Sequence, residues 1–75
     1  MSNGFELLIE KEAMWAEMLM QVLKDHGIPC TSLPVYGAGF VIKTGIQERL
    51  RIYVPTQHMQ QAEALAEELF AADAQ

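Results

Sequence analysis

An α+β fold of order βαββα follows from two places where alternation of period 2 passes into period 3.6, and from the turn chemistry between them. The clearer place is Ile52-Tyr53-Val54-Pro55-Thr56, an alternating strand that runs through a proline into the amphipathic residues 57–69. The other is residues 5–9 followed by residues 10–26, which contain no Gly, Pro or Thr and end at Gly27-Ile28-Pro29. The sheet is expected to be mainly antiparallel, with three to four short strands and both helices on one face.

Residues 5–9 form the first strand, with Phe5, Leu7 and Ile9 on one face and Glu6 and Leu8 on the other. Residues 10–26 form the first helix, which Gly27 ends with a left-handed cap before Ile28-Pro29 forbids continuation. Residues 28–33 form the second strand, at an edge or entered at its first residues, because Pro29 has no amide to donate. Residues 34–47 hold two turns, Tyr36-Gly37-Ala38-Gly39 and Lys43-Thr44-Gly45, around the extended Phe40-Val41-Ile42. They either continue the second strand past a bulge or form a separate one. Residues 48–54 alternate plainly, and Thr56 is expected to cap the second helix, which runs to about residue 71.

The core expected from this pattern sets Phe5, Leu7, Ile9, Ile28, Cys30, Leu50, Ile52 and Val54 beneath Ala16, Leu19, Leu23, Ala62, Leu65 and Leu69. In the second helix Met59, Ala62, Leu65, Ala66, Leu69 and Phe70 make one apolar stripe. The first helix has two: Ala16, Leu19, Met20 and Leu23, and a second of Met14, Trp15, Met18 and Val22. That second stripe packs on the neighbouring helix or serves as a subunit interface through Met14, Trp15 and Met18. The sheet face away from the helices, with Leu8, Leu33 and Tyr53, is left half apolar, and a homodimer is the simplest partner for it.

Length and composition narrow the rest. The chain of 75 residues makes one domain, 1–75 with its core in 5–71. Apolar residues make up 51% and charged residues 20%, which places it among folded globular domains. So short a chain buries little more than about 60% of its unfolded surface, and a single cysteine excludes an intrachain disulfide as the remedy. A structural metal or self-association remains. A net charge of -5 and a pI near 4.7 disfavour nucleic acid as a partner. No apolar run approaches the ~20 residues of a membrane span, and the lone thiol suits a reducing, cytoplasmic setting.

Candidate chemistry is sparse. Cys30, His26 and His58 are too few for a structural zinc site, which takes about four such ligands, so no metal or cofactor is expected. His26 sits where it can meet the last carbonyls of its helix, His58 is expected to be solvated, and Cys30 reads as a small apolar side chain. Gly37-Ala38-Gly39 lacks the ending of a phosphate loop, and Lys43-Thr44-Gly45 matches a β-lactamase triplet by letters alone. No catalytic residues are assigned. The one cluster that points to a ligand is Lys43, Arg49 and Arg51, near the free amides that follow Thr56 and with Tyr36 and Tyr53 close by; it suits a small anion. Its alternative is that alternate arginines simply solvate the outer sheet face.

Ala16-Glu17, Leu19 and Leu23, His26-Gly27-Ile28-Pro29-Cys30, and Ile52-Tyr53-Val54-Pro55 with Gln61-Ala62 together resemble a family of small bacterial signal-transducing domains. That family is a domain of unknown function whose fold is related to the nitrogen-regulatory PII proteins. The resemblance spans residues 7–70 and implies a ferredoxin-like arrangement, intersubunit sheet contacts, and a regulatory or protein-interaction role without catalysis. It transfers no ligand, since the long effector loop and phosphate-binding signature of PII proteins have no counterpart here.

Overall fold

The computed structural model describes residues 4–36 and 48–71. Their elements follow in the order β1 (Phe5–Glu12), α1 (Ala13–Asp25), β2 (Thr31–Pro34), β3 (Arg49–Pro55) and α2 (Met59–Ala71), the last entered through a 3-10 turn at Thr56–His58. The strands make a three-stranded antiparallel sheet of order β1-β3-β2. This α+β arrangement is compatible with a ferredoxin-like fold. The expected fourth strand, drawn from residues 34–47, falls mostly outside the described residues.

The core is one layer of side chains between the sheet and both helices. Leu19, Leu23, Ile28, Ile52 and Val54 are its largest fully buried members. Ala16, Ala62 and Ala66 are buried with them, and their small side chains let the two helices approach the sheet and each other. Leu65, Leu69 and Phe70 complete the α2 stripe as half-buried neighbours, with Ile9, Cys30 and Leu50 at the sheet margin.

The end of α1 is built as its sequence predicts. Gly27 has φ +76, its amide donates to the Lys24 carbonyl at 2.9 Å, and the Ile28 amide donates to the Leu23 carbonyl at 2.9 Å. These two bonds define a Schellman motif, and its apolar contact is supplied by the buried Leu23 and Ile28. Among the described residues β2 lies at an edge, one of the two readings that Pro29 allowed, though it starts at Thr31 rather than at Ile28.

Four expectations need correction. The first helix starts at Ala13, not Glu10, because Glu10, Lys11 and Glu12 extend the ladder opposite Arg51, Leu50 and Arg49. Cross-strand pairing there outweighs a helix propensity worth only tenths of a kcal/mol per residue. A bulge lies between Leu7 and Ile9, so Leu8 has no partner in the register and packs with Ile9 against the core. Leu8 is therefore not on the outer face. The same bulge puts Phe5 and Leu7 opposite Pro55 and Tyr53, where they are 49% and 50% exposed rather than buried. Finally, Thr56 makes no capping bond to the helix; its amide and its hydroxyl both donate to the Gly4 carbonyl, at 3.1 and 3.3 Å. It ties the start of β1 to the turn that opens α2.

Replacing Gly27 by Ala tests the cap in isolation, because an added Cβ would meet nothing within 4 Å. The cost is then that of a left-handed residue alone, about 1–2 kcal/mol. Thermal unfolding should show a midpoint lower by roughly 4–8 °C for each kcal/mol lost.

Candidate functional site

Register decides which side chains share the helix-free face. Ile52 and Val54 point into the core, so Arg49, Arg51, Tyr53 and Pro55 point outward from β3. Opposite them stand Glu12, Glu10, Leu7 and Phe5 on β1, and Leu33 and Thr31 on β2 facing Arg51 and Tyr53. The face has two halves. Phe5, Leu7 and Tyr53 form an apolar half, and Leu33, 55% exposed, stands on β2 beside Arg51 at its border with the other. Glu10, Glu12, Arg49 and Arg51 form a charged half.

The charged half is internally matched. Arg49 Nε donates to Glu10 Oε2 at 2.9 Å, and Arg51 Nε lies 3.5 Å from Glu10 Oε1. These charges are more than one-third exposed, so the pairs order the side chains more than they stabilise the fold. The hydrogen bond from Arg49 and the two nearby guanidinium charges hold the Glu10 carboxyl below its ordinary value of 4.5, against a smaller opposing effect of desolvation.

The proposed anion site does not converge on the helix start. Arg49 and Arg51 project from the outer face while α2 packs on the other. Along the strand they lie about 20 and 13 Å from Pro55, at roughly 3.3 Å per residue. Thr56 is engaged with Gly4, and Lys43 lies outside the described residues. Both guanidinium groups are instead directed at Glu10.

The second α1 stripe divides. Trp15 is half-buried and meets the Phe70 ring edge to face, with centroids 5.6 Å apart and planes at 73°, so it belongs to the contact between the helices. Met14 and Met18 stay exposed, at 67% and 44%. Thus Met14, Met18, Leu33 and Tyr53 remain available at the surface or its margin, whereas Trp15 and Leu8 are used by the fold. Phe5 and Leu7 join the outer face though neither was assigned to it. The run Leu7-Leu8-Ile9, which breaks strict alternation, is the one sign of this in the sequence.

The remaining reactive groups are quiet. His26 Nδ1 lies 3.0 Å from the Val22 carbonyl at the end of α1, as its position predicts. Cys30 is half-buried with Sγ 3.8 Å from the Met20 carbonyl, and desolvation raises its thiol above the ordinary value, with Lys24 opposing weakly. Among the described residues no group of three or more His, Cys, Asp or Glu is placed to hold a metal ion, and no helix is long and apolar enough to cross a membrane. No known family, curated protein or solved structure matches the chain.

Because the folded Glu10 titrates below its unfolded value, its contribution to stability is complete above about pH 4.5 and fades as pH falls through the lower folded value. Thermal melts of the parent and Glu10→Gln should therefore differ most near neutral pH and converge in acid. A thiol-reactive probe should label Cys30 slowly at neutral pH in the native protein and at an ordinary thiol rate in denaturant.

Proposed function

We propose that this protein is a non-enzymatic regulatory or protein-interaction module, with a ferredoxin-like, PII-related architecture and a role in signal transduction through docking of a protein partner. The observation that supports this reading is the helix-free sheet face, where Phe5, Leu7 and Leu33 are each about half exposed beside Tyr53. A soluble domain that leaves large apolar side chains together on a rigid sheet has a surface suited to a partner. The adjacent Glu10, contacted by both Arg49 and Arg51, and Glu12 opposite Arg49 supply a polar rim of two acids and two arginines beside it. The raised thiol of Cys30 and the arginine-paired Glu10 suit neither a nucleophile nor a general base.

The double variant Leu7→Asp/Leu33→Asp tests the assignment. Both side chains are half exposed, so the variant should fold with an unfolding midpoint close to the parent's. In a lysate without added ligand, the immobilised parent should retain a specific protein that the variant loses. Equal retention by both, or retention by neither alongside a thermal shift with a small anion that Arg49→Ala abolishes, would overturn the reading.

A further inference from the structure

β1 occupies one edge of the sheet and, among the described residues, pairs only with β3. It is eight residues long and contains no proline, so its outer edge presents a row of backbone donors and acceptors. Beside that edge runs an open groove of about 400 Å³ between β1 and α2, floored by Leu8, Ile9, Ala66 and Phe70 and rimmed by Lys11, Glu63 and Glu67. We propose that β1 pairs antiparallel with β1 of a second copy of this chain, about a two-fold axis through the bulge at Leu8, giving a continuous six-stranded sheet.

The bulge decides the register. Leu8 and Ile9 both face the helices, so together they occupy one position in the alternation, with Leu7 and Glu10 facing outward on either side. Pairing bulge with bulge then places Leu7 opposite Glu10, Glu6 opposite Lys11 and Phe5 opposite Glu12 of the second copy. In every pair both residues lie on the same face, as antiparallel pairing requires. The outward residues, whose amides and carbonyls point to the free edge, make the hydrogen-bonded pairs. Glu6 and Lys11 make a close, non-hydrogen-bonded pair on the helix side, twice per dimer.

Neighbouring two-fold registers are poorer. Centring the pair on Glu10 sets that carboxylate against its own copy, and centring it on Leu7 leaves Lys11 and Glu12 beyond the paired segment. Unlike charges meet only when the axis passes through the bulge. In that register Lys11, whose ammonium lies 4.4 Å from the Phe70 ring centroid, stands between the α2 acids of its own groove and Glu6 of the second copy. The two grooves then face each other across the axis, and Leu8 and Ile9 of each copy extend the floor of the other. Both helix-free faces end on the same side of the joined sheet, so the association does not depend on what that face docks.

Sedimentation equilibrium across a concentration series tests the pairing. The parent should pass from the 8.4 kDa chain mass to twice that value. Glu6→Lys, at an exposed position, should keep its circular dichroism while weakening dimerisation by roughly 30-fold, since each dimer exchanges two attractive pairs for two repulsive ones. Adding Lys11→Glu to Glu6→Lys should restore most of the loss. In a Cys30→Ala background, Glu6→Cys/Lys11→Cys should form an intermolecular disulfide, and Glu6→Cys alone should not. A parent that stays monomeric throughout, or a dimer indifferent to Glu6→Lys, would overturn the proposal. Loss of the dimer in Leu33→Asp, on β2 away from the paired edge, with no effect of Glu6→Lys would place the interface on the helix-free face instead.

Discussion

β3 is the strand on which the other elements depend, because among the described residues it alone is paired along both edges, with one face buried. Its register with β1 sets which residues of β1 meet the helices, and its register with β2 brings the chain back from the α1 cap across the same core. Ile52 and Val54 lie fully buried at the centre of that arrangement, under Leu19 and Leu23 from one helix and Ala62 and Ala66 from the other. A one-residue slip of β3 would turn Ile52 and Val54 outward and bring Arg51 and Tyr53 into the core, so the register is held by burial as well as by hydrogen bonds.

The bulge at Leu8 couples that core to the surface. Without it, strict alternation would keep Phe5, Leu7 and Ile9 on one face, and the outer face of β1 would be Glu6, Leu8 and Glu10. With it, Ile9 remains over the core and is joined by Leu8, while Phe5 and Leu7 swing to the face that also carries Tyr53 and Leu33. One extra residue thus creates both the apolar half of the helix-free face and the floor of the groove beside α2. It also leaves Glu10 outward, between the two guanidinium groups of β3.

A small domain with a thin core has two ways to hide more apolar surface: cover the open face, or extend the sheet. The two surfaces described are physically different in this respect. The helix-free face offers side chains and a charged rim, which suits a partner of complementary shape. The β1 edge offers backbone groups, which a strand of almost any sequence can meet; its selectivity has to come from the bulge and from Glu6 and Lys11. A dimer through the edge would double the area of the open face without covering it.

Much of this architecture was legible in local signals. Gly27 before Ile28-Pro29 marks the end of α1, the alternation into Pro55 marks β3, and the period-3.6 stripe of α2 names Ala62, Leu65, Ala66 and Leu69, because each signal depends on neighbours within about one turn. The fate of residues 10–12 was not legible: Glu10, Lys11 and Glu12 favour helix locally, and only their pairing with Arg51, Leu50 and Arg49, some forty residues away, makes them strand. The paired arginines looked like an anion site because sequence shows their proximity to Thr56 along the chain but not the sheet face they take. Sequence by itself determined the order of the elements, the Gly27 cap of α1 and most of the buried set. Tertiary structure alone decided the bulge, and through it which apolar side chains reached the surface, because a strand's facing is settled by the partner it pairs with.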